Sequence, residues 1–412
     1  MSYLFLGSYY LPSILRQIEY GKFVGNANDL LQKAYIKGLS SICKEREIEF
    51  ISYTLPNVPA YPKPGSRFVY ERMIEDINEA SCVSLPFLNP PLIKHVNRFF
   101  SAYKAILCRK DITHILIYDI DIPLLCAAHL YKKKRNVYVG CVVPDLIGLT
   151  GGPNTLLHKL YQKLLNRLLG TVSTSINLFI YLTESMHERL GFSNPYIVIE
   201  GIYNDENEEL LRKDYLPNLS VNKTILYAGA MSKRNGVLKL LNVFKLISDE
   251  DFQLILCGDG ELRNVIEEMS MVDKRIRFMG NIPHSEVQLL QRSVGLLVNP
   301  RPAIEEFSKY SFPSKTLEYF ASGTPTMMFR LPGIPDEYYK YCYTFESYDE
   351  RDMCNRILAF FCKPFVERVT KGQAARSFIL QQKNCYTQCC KIISMMDYNI
   401  VKDVSHSVSP MQ

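Results

Sequence analysis

The stretch TILYAGAMSKRNGVLKLLNVFKLI, residues 224–247, carries the pattern that decides the fold. It begins with five residues typical of a buried strand, continues through a turn that contains glycine, and ends in residues with helical spacing. The same order of strand, loop and helix recurs along the chain. Continuous apolar strands that alternate with helices predict an α/β protein whose parallel sheets are covered on both faces.

Other apolar runs rich in β-branched residues mark further strands. Strands are predicted at Tyr3–Gly7, Ile48–Tyr53, His114–Tyr118, Val137–Val143, Leu178–Leu182, Tyr196–Ile199, Thr224–Ala228, Gln253–Cys257, Ile276–Met279 and Gly295–Val298. The segments between them have helical periodicity. Helices are predicted at Asn26–Lys44, Asn154–Leu169, Gly236–Ile247, Glu261–Met269 and Ser285–Arg292.

The length of 412 residues suits two domains better than a single core. The polar stretch from Gly201 to Lys223 is interpreted as the linker between them. We predict two Rossmann-like, doubly wound domains that face a cleft, at residues 1–203 and 204–375. In such sheets, ligands bind outside the carboxyl ends of the strands. The predicted site is therefore formed by the loops that follow Ala228, Cys257, Met279 and Val298.

Composition and charge indicate the class of protein. Hydrophobic residues make up 47% of the chain and charged residues 22%, a balance typical of soluble globular proteins. Apolar runs long enough to span a membrane are absent from the sequence, and the N-terminus lacks the basic segment of a signal peptide. The net charge of +6 is far below that of a nucleic-acid binder. No nucleic-acid partner is expected, whereas an anionic small ligand or membrane surface remains compatible.

Twelve cysteines are scattered along the chain, mostly singly and in apolar contexts. Their spacing shows neither a paired Cys-x-x-Cys motif nor a cluster with histidines at metal-ligand spacing. Unpaired cysteines in such numbers suit a reducing compartment. The sequence therefore predicts a cytoplasmic protein without a metal cofactor.

The first loop, residues 229–236, combines glycine with adjacent cations. Gly229 allows the backbone to approach a ligand, and the helix that follows offers free N–H groups. Lys233 and Arg234 add a point charge and a bidentate fork, which suits a diphosphate. The alternative is a solvated basic turn.

The second and third loops also contain glycine at strand ends. Gly258 in the sequence Gly-Asp-Gly permits a tight turn that faces a ligand. In the third loop, the backbone of Asn281 is expected to bind a nucleobase while Ile282 packs beside its ring. Each loop taken alone is equally compatible with a structural turn.

The fourth segment is SFPSKTLEYFASGTP, residues 311–325. Phe312 leads into a helix whose early Pro313 is favourable at a helix start. N–H groups at that end are expected to face phosphate oxygens. The residues that supply them are Ser314, Lys315 and Thr316. Glu318, one turn further on, is expected to accept hydrogen bonds from a ribose, although an ordinary surface glutamate is the alternative.

Together the four segments resemble the donor-binding half of the family-4, or group 1, retaining glycosyltransferases of the GT-B fold. The resemblance is strong from about Thr224 to Phe345 and looser in the first half, where it rests on GSYYLP, VGNANDLLQKAYIKGLS, VVPDL and LTESM. Within that family, the sequence resembles bacterial capsule and exopolysaccharide transferases. The resemblance also implies that residues 376–412 include a helix, from about Ser377 to Tyr398, that crosses back onto the N-terminal domain.

Carried over by position, Glu318 is the second glutamate of the family's paired motif, which holds the donor ribose. Tyr310 stands where the first glutamate belongs, so Glu306 is predicted to contact the transferred sugar, with Glu305 or Tyr310 as alternatives. The family's phosphate-binding arginine and lysine are replaced here by Ala230 and Asn235. Lys233 and Arg234 would therefore supply the charge.

In the first half, the family often has a histidine near the reacting carbon of the sugar. Asp145, in the sequence VVPDL, is predicted to orient the acceptor hydroxyl or the transferred sugar, and a helix-capping role is the alternative. His114 lies within an apolar strand and is interpreted as a core residue.

The resemblance implies transfer of a sugar, with a hexose expected, from a nucleoside-diphosphate sugar to a glycan or lipid-linked acceptor. Retention at the anomeric carbon and a role in bacterial polysaccharide biosynthesis are expected. The amphipathic segment Thr155–Leu169 is a candidate for contact with anionic lipid. Two alternatives stay open, a sugar-nucleotide epimerase of the same fold and a catalytically silent nucleotide-sugar-binding partner protein.

Overall fold

The computed structural model describes residues 1–17, 27–63, 66–91, 93–146, 163, 167–204, 223–303 and 306–407. The chain divides into two compact units. Unit 1 comprises Met1–Asn204 and Cys385–Gln412, and unit 2 comprises Asp205–Asn384. The predicted linker, residues 201–223, lies mostly outside the described residues, as does most of the predicted helix at residues 154–169.

Unit 1 is built on a mainly parallel sheet. Its strands are β1 Ser2–Gly7, β2 Glu49–Thr54, β3 Val69–Tyr70, β4 Met73–Ile77, β5 Ala80–Ser84, β6 Phe87–Leu88, β7 Ile112–Tyr118, β8 Tyr138–Val143, β9 Leu178–Tyr181 and β10 Tyr196–Val198. The sheet order is β10-β9-β8-β7-β1-β2-β5-β4, with β4 antiparallel at one edge, while β3 and β6 pair separately. Every residue of β1 and β8 is buried, as expected for central strands covered on both faces.

Helices connect these strands. They are α1 Pro12–Gln17, α2 Ala27–Glu45, α3 Lys94–Leu107, α4 Ile122–Lys132 and α5 Glu184–Leu190. Asp121 shows how the sequence begins one of them, since its carboxylate caps α4 by accepting a hydrogen bond from the N–H of Leu124, with proline next in the first turn. Gly191 ends α5 in the left-handed conformation.

Unit 2 contains a wholly parallel sheet. Its strands are β11 Thr224–Ala228, β12 Gln253–Cys257, β13 Ile276–Gly280, β14 Leu296–Asn299, β15 Thr326–Phe329 and β16 Tyr343–Phe345. The order is β13-β12-β11-β14-β15-β16. Because β11 lies between β12 and β14, the carboxyl ends of four consecutive strands meet at one edge of the sheet.

The helices of unit 2 follow the same alternation. They are α6 Val237–Lys245, α7 Arg263–Val272, α8 His284–Ser293, α9 Lys315–Ser322, α10 Glu350–Phe361 and α11 Phe365–Gln382. Short 3-10 turns occupy Lys233–Asn235, Glu306–Tyr310 and Asp336–Lys340. The last helix of the chain, α12 Cys385–Ser407, belongs to unit 1. No helix among the described residues is both long and apolar enough to cross a membrane.

Two parallel-sheet, Rossmann-like domains confirm the predicted α/β fold class. The ten predicted strands all occur, with ends that differ by at most two residues. The strands between residues 69 and 88 were not predicted. β3 and β6 have only two residues each, and β4 alternates exposed and covered positions at the sheet edge, so it lacks a continuous apolar run. The short strands β15 and β16 were not predicted either.

The C-terminal segment is two helices where one was predicted. α11 ends at Gln382 within unit 2, and α12 begins at Cys385 in unit 1. Close packing holds α12 to α2, because a Cβ atom at Gly38 would overlap the backbone carbonyl of Cys385. The side-chain amide of Gln388 also donates to the carbonyl of Gly201 over 3.2 Å.

Candidate functional site

The first three predicted loops of unit 2 lie against one another. The N–H of Gly229 donates to the carbonyl of Cys257 over 2.8 Å, and the N–H of Gly258 donates to Gly280 over 2.7 Å. Gly258 has a φ of +134°, and a Cβ there would overlap the carbonyl of Gly229. Only glycine permits both this backbone conformation and this close approach. The loops after β11, β12 and β13 therefore form one continuous backbone surface.

The first loop turns tightly after Gly229. The hydroxyl of Ser232 accepts from the N–H of Asn235 and caps the short 3-10 turn. The side chain of Asn235 donates to the carbonyl of Ala230 over 3.1 Å, so the residue that replaces the family's lysine braces the loop. Lys233 has an exposed side chain, and its N–H donates to Glu261 over 2.8 Å.

Arg234 joins this loop to the segment that follows β14. Its guanidinium carbon lies 3.1 Å from the ring centroid of Phe307. The guanidinium carbon of Arg301 lies 4.3 Å from the same centroid. Guanidinium groups are attracted to aromatic faces, so the half-buried Phe307 ring holds both cations near the first loop. Arg301 was not among the predicted site residues.

Lys315 places an amine directly beside Gly229. Its Nζ donates to the hydroxyl of Tyr227 over 2.9 Å, and that hydroxyl donates to the carbonyl of Ala230 over 2.9 Å. A Cβ at Gly229 would overlap the amine. Protein atoms surround the amine, and this desolvation lowers the pKa of Lys315 to about 7, with Glu318 opposing the shift and Arg301 adding to it.

The start of α9 differs in detail from the prediction. The N–H of Thr316 donates to the carbonyl of Pro313 over 2.9 Å, so it is not one of the unpaired amides that were expected to face phosphate. The helix opens with a tight 3-10 type turn, which accounts for this bond. Ser314 precedes α9 and is exposed, whereas Thr316 is fully buried.

Phe312 packs into the core. Its ring is buried, with its centroid 5.4 Å from that of Tyr338. The side chain of Phe312 therefore stabilises the start of α9, and a donor contact at this position would fall to its backbone.

Glu318 is half-buried in the first turn of α9. The next residue fixes that turn to β11, because the hydroxyl of Tyr319 accepts from the N–H of Ala228 over 2.9 Å and donates to its carbonyl over 3.3 Å. Glu318 and Lys315 thus occupy the same helical turn at the end of β11, and their opposite charges interact.

The remaining predicted residues of unit 2 lie on solvent-accessible loops. Asn281 is exposed and Ile282 is half-buried, between β13 and α8. Glu306 is exposed at the first position of a 3-10 turn whose last residue is Tyr310. Glu305, the alternative to Glu306, lies outside the described residues.

Asp145 lies in unit 1, immediately beyond β8. Its carboxylate accepts from the side-chain amide of Asn28 over 3.4 Å, while neighbouring protein atoms desolvate it and raise its pKa. At the end of the adjacent β7, burial raises the pKa of Asp119 to about 6, and the negative charges of Asp121 and Asp145 act in the same direction. Asp119 was not predicted, although its place directly after an apolar strand is a usable signal.

The structure thus gathers Gly229, Gly258, Lys315 and Glu318 at one edge of the unit 2 sheet, with Lys233 and Arg234 on the same first loop. The contacts of Tyr227 and Arg301 with this group could not be read from sequence, since they depend on tertiary packing. In the described part of the chain, no group of three or more His, Cys, Asp or Glu residues is arranged to hold a metal ion.

Part of the chain matches a known protein family. Residues 222–362 match the family model described as Glycosyl transferases group 1. Sucrose-phosphate synthase from Thermosynechococcus elongatus has a similar structure, with 14% identity, a TM-score of 0.63, and coverage of 98% of this chain and 100% of that chain. No curated protein sequence matches the chain.

Two further solved structures have the same fold. Trehalose-6-phosphate synthase OtsA gives a TM-score of 0.67 at 11% identity, over 96% of this chain and 99% of that chain. HepE from Anabaena, in complex with UDP, gives a TM-score of 0.62 at 12% identity, over 97% of this chain and 100% of that chain. The chain therefore has the GT-B fold, and its residues 222–362 are similar to group 1 glycosyltransferases.

Proposed function

We propose that this protein transfers a hexosyl unit from a nucleoside-diphosphate sugar, with retention, to a glycan or lipid-linked acceptor. The observation that carries the proposal is the Lys315 amine, which lies beside the Gly229 backbone at the start of α9. Glycine, a helix start and nearby cations form an arrangement suited to a diphosphate. The group 1 domain match supports the same reading.

In this proposal each part of the donor has its own partners. The diphosphate contacts the backbone at Gly229 and Gly258, the amides at the start of α9, and the side chains of Lys315 and Arg234, with Lys233 adding charge from the exposed turn. The two hydroxyls of the ribose donate to Glu318. The nucleobase lies against the loop of Asn281 and Ile282.

Stabilising the leaving diphosphate is the main chemical task of the site. Negative charge develops on the diphosphate as the bond to the sugar breaks, and preorganised cations and amides lower the free energy of that state. Lys315 is suited to this task because binding of an anion favours its ammonium form and restores the charge that burial disfavours. The cations of this chain would supply the positive charge without a metal ion.

The transferred sugar and the acceptor are proposed to contact two further carboxylates. We assign Glu306 to the hydroxyls of the transferred sugar, in place of the motif glutamate that Tyr310 replaces. We assign Asp145 to orientation of the acceptor hydroxyl or the sugar. The position of Asp145 supports this role, because its carboxylate is exposed directly beyond β8, where a substrate hydroxyl could reach it.

We also propose that the enzyme acts at the cytoplasmic face of a membrane in bacterial polysaccharide biosynthesis. The resemblance of its sequence to capsule and exopolysaccharide transferases supports this role. The candidate membrane segment at residues 155–169 lies almost entirely outside the described residues.

A transfer assay tests the function directly. The full chain is incubated with a panel of radiolabelled sugar nucleotides and a bacterial lipid extract, and the products are separated by chromatography. The proposal expects label in the lipid or glycan fraction, and much less label with Glu318→Ala, whose fold is checked by circular dichroism. An isomerised donor would indicate an epimerase, and binding without any product would indicate a silent partner protein. Either result would overturn the proposal.

A further inference from the structure

Helix α3 of unit 1 carries two of its three lysine and arginine residues on the buried side. Lys94 and Arg98 are buried there. The amine of Lys94 donates to the carbonyl of Val58, and the guanidinium of Arg98 donates to the carbonyls of Leu55 and Pro56 over 2.8 and 3.1 Å. Burying these cations is tolerated because backbone oxygens accept their hydrogen bonds, and Arg98 also pairs with Asp121.

The opposite side of the helix is apolar and faces solvent. Its residues recur at intervals of three and four, which places them on one face of the helix. We name them the apolar stripe: Ile93, Val96, Phe100, Tyr103 and Leu107. Val96 is 57% exposed, Phe100 59%, Ile93 43% and Leu107 40%, and Tyr103 is half-buried. The fourteen residues of α3 span roughly 21 Å at 1.5 Å per residue, so the stripe is a continuous surface.

Cations border this stripe. Lys104 is exposed on α3 itself, and Lys133, Lys134 and Arg135 are exposed in the turn that ends α4. These four residues are named the basic rim. The Nζ of Lys134 lies 5.5 Å from the ring centroid of Tyr103, which brings the turn at the end of α4 next to the stripe. The nearby acid Asp111 is already paired with Arg109 over 2.7 Å.

We propose that the apolar stripe and the basic rim form a surface by which unit 1 rests on an anionic phospholipid membrane. Exposed apolar surface bordered by polar residues marks an interaction site. An apolar helix face with aromatic residues and flanking lysines suits the boundary between lipid headgroups and acyl chains. A second copy of the chain fits less well, because it would bring a second set of cations to the same rim. The inference rests on the proposed use of a membrane acceptor and names the surface involved.

Vesicle cosedimentation tests the surface without any assay of activity. The full chain is mixed with vesicles of phosphatidylcholine alone or of phosphatidylcholine with phosphatidylglycerol. We expect binding to the mixed vesicles, little binding to the neutral ones, and weaker binding at high salt because the rim is screened. The double variant Val96→Ser, Phe100→Ser should bind at least about tenfold more weakly, since it loses apolar area that would be buried in lipid.

Two further variants separate charge from exposed apolar area. Lys133→Gln with Lys134→Gln should abolish the preference for anionic vesicles. The matched control is Met271→Ser with Val272→Ser on α7, where the side chains are 71% and 89% exposed but belong to unit 2. It should bind like the wild type. Circular dichroism verifies the fold of each variant.

Several results would overturn the inference. They are no binding to anionic vesicles, equal binding to neutral vesicles, and full binding by Val96→Ser, Phe100→Ser. A dimer in sedimentation velocity that this double variant converts to monomer would assign the stripe to a second copy instead. Vesicle binding as expected with no sugar transfer would contradict the proposed function and leave the membrane surface intact.

Discussion

The position and the pKa of the Lys315 amine are determined by residues that are distant in the sequence. The sequence placed Lys315 at a helix start and suggested a role for its N–H group only. The fold brings its side chain to Tyr227 and Gly229 of β11 and the following loop, where desolvation lowers its pKa to about 7. Periodicity and motif spacing indicate where a residue lies along its own helix or strand. They do not indicate which side chain from another element packs beside a glycine, as Lys315 does beside Gly229.

Because the pKa of Lys315 is about 7, we expect donor binding to depend on pH in this range. A sugar nucleotide such as UDP-glucose is a diphosphate diester with no phosphate ionisation near neutrality, so a change near pH 7 reports on the protein. Only the ammonium form pairs with phosphate, and affinity should therefore fall as the pH rises above about 7, by up to about tenfold per pH unit. Isothermal titration calorimetry over a pH series measures this.

Two variants give the controls. Lys315→Met should bind UDP-glucose more weakly and without this pH dependence. In Glu318→Gln the midpoint should move to lower pH, because the carboxylate that favours the ammonium form is gone. An unchanged pH profile in Lys315→Met would assign the titration to another group.

We expect that removal of the Glu318 carboxylate weakens the binding of a nucleoside diphosphate. Hydrogen bonds from a ribose to a carboxylate contribute roughly 1.5–3 kcal/mol each, so Glu318→Ala should raise the dissociation constant for a nucleoside diphosphate at least about tenfold. Glu268→Ala, which removes an exposed carboxylate from α7, is the matched control and should be silent. Equal affinities in the two folded variants would make Glu318 an ordinary surface residue.

Among the elements, most of the buried central strands could be predicted, whereas the partly exposed edge strand β4 could not. Central strands such as β11 and β12 are continuous apolar runs, because helices cover both of their faces. β4 is half-exposed and contains two acidic residues, so its sequence resembles a loop. The same limit applies to the C-terminal segment, where apolar positions predicted a helix and did not show the break between α11 and α12.

A polar cluster helps to hold α12 in unit 1. The hydroxyl of Tyr3 donates to Asp397 over 2.7 Å, and Arg46 pairs with the same carboxylate over 2.9 Å. His114 stacks on Tyr3 with ring centroids 4.1 Å apart, and it is buried, as its apolar context predicted. Burial lowers the pKa of His114 to about 4, and Asp397 only partly offsets this.

Because the folded state disfavours the protonated form of His114, we expect the free energy of unfolding to be smaller in mild acid. In the unfolded chain it titrates near pH 6.5, whereas in the fold it titrates near 4, so the unfolded state binds more protons between these values. The free energy of unfolding should fall as the pH drops from about 6.5 to about 4, by up to about 3 kcal/mol at 1.36 kcal/mol per pKa unit. His114→Phe keeps a stacked ring and should lose less stability over that interval. Urea unfolding at several pH values measures the difference, and equal losses in both proteins would refute the role of His114.

At the scale of the whole molecule, the repeated alternation of strands and helices could be predicted from the sequence. The fold then explains how four segments that are separated in the sequence form one site. The four site segments are spread over about ninety residues, from Gly229 to Glu318. The strand order β13-β12-β11-β14 brings their loops to one edge, since the carboxyl ends of parallel strands point the same way. The two Rossmann-like domains and this edge of the sheet could be predicted. The side chains that Arg234 and Lys315 contact could not.

A nucleoside diphosphate is proposed to bind at the carboxyl edge of the unit 2 sheet. Hydrogen–deuterium exchange of the full chain with and without saturating UDP tests it most directly, because ligand contact slows exchange of the amides it covers. Protection should be concentrated at residues 229–236, 258–261 and 314–318, and at a UDP concentration near the wild-type dissociation constant it should be much weaker in Glu318→Ala. Protection confined to unit 1, or bound UDP that leaves these three segments unchanged, would contradict it.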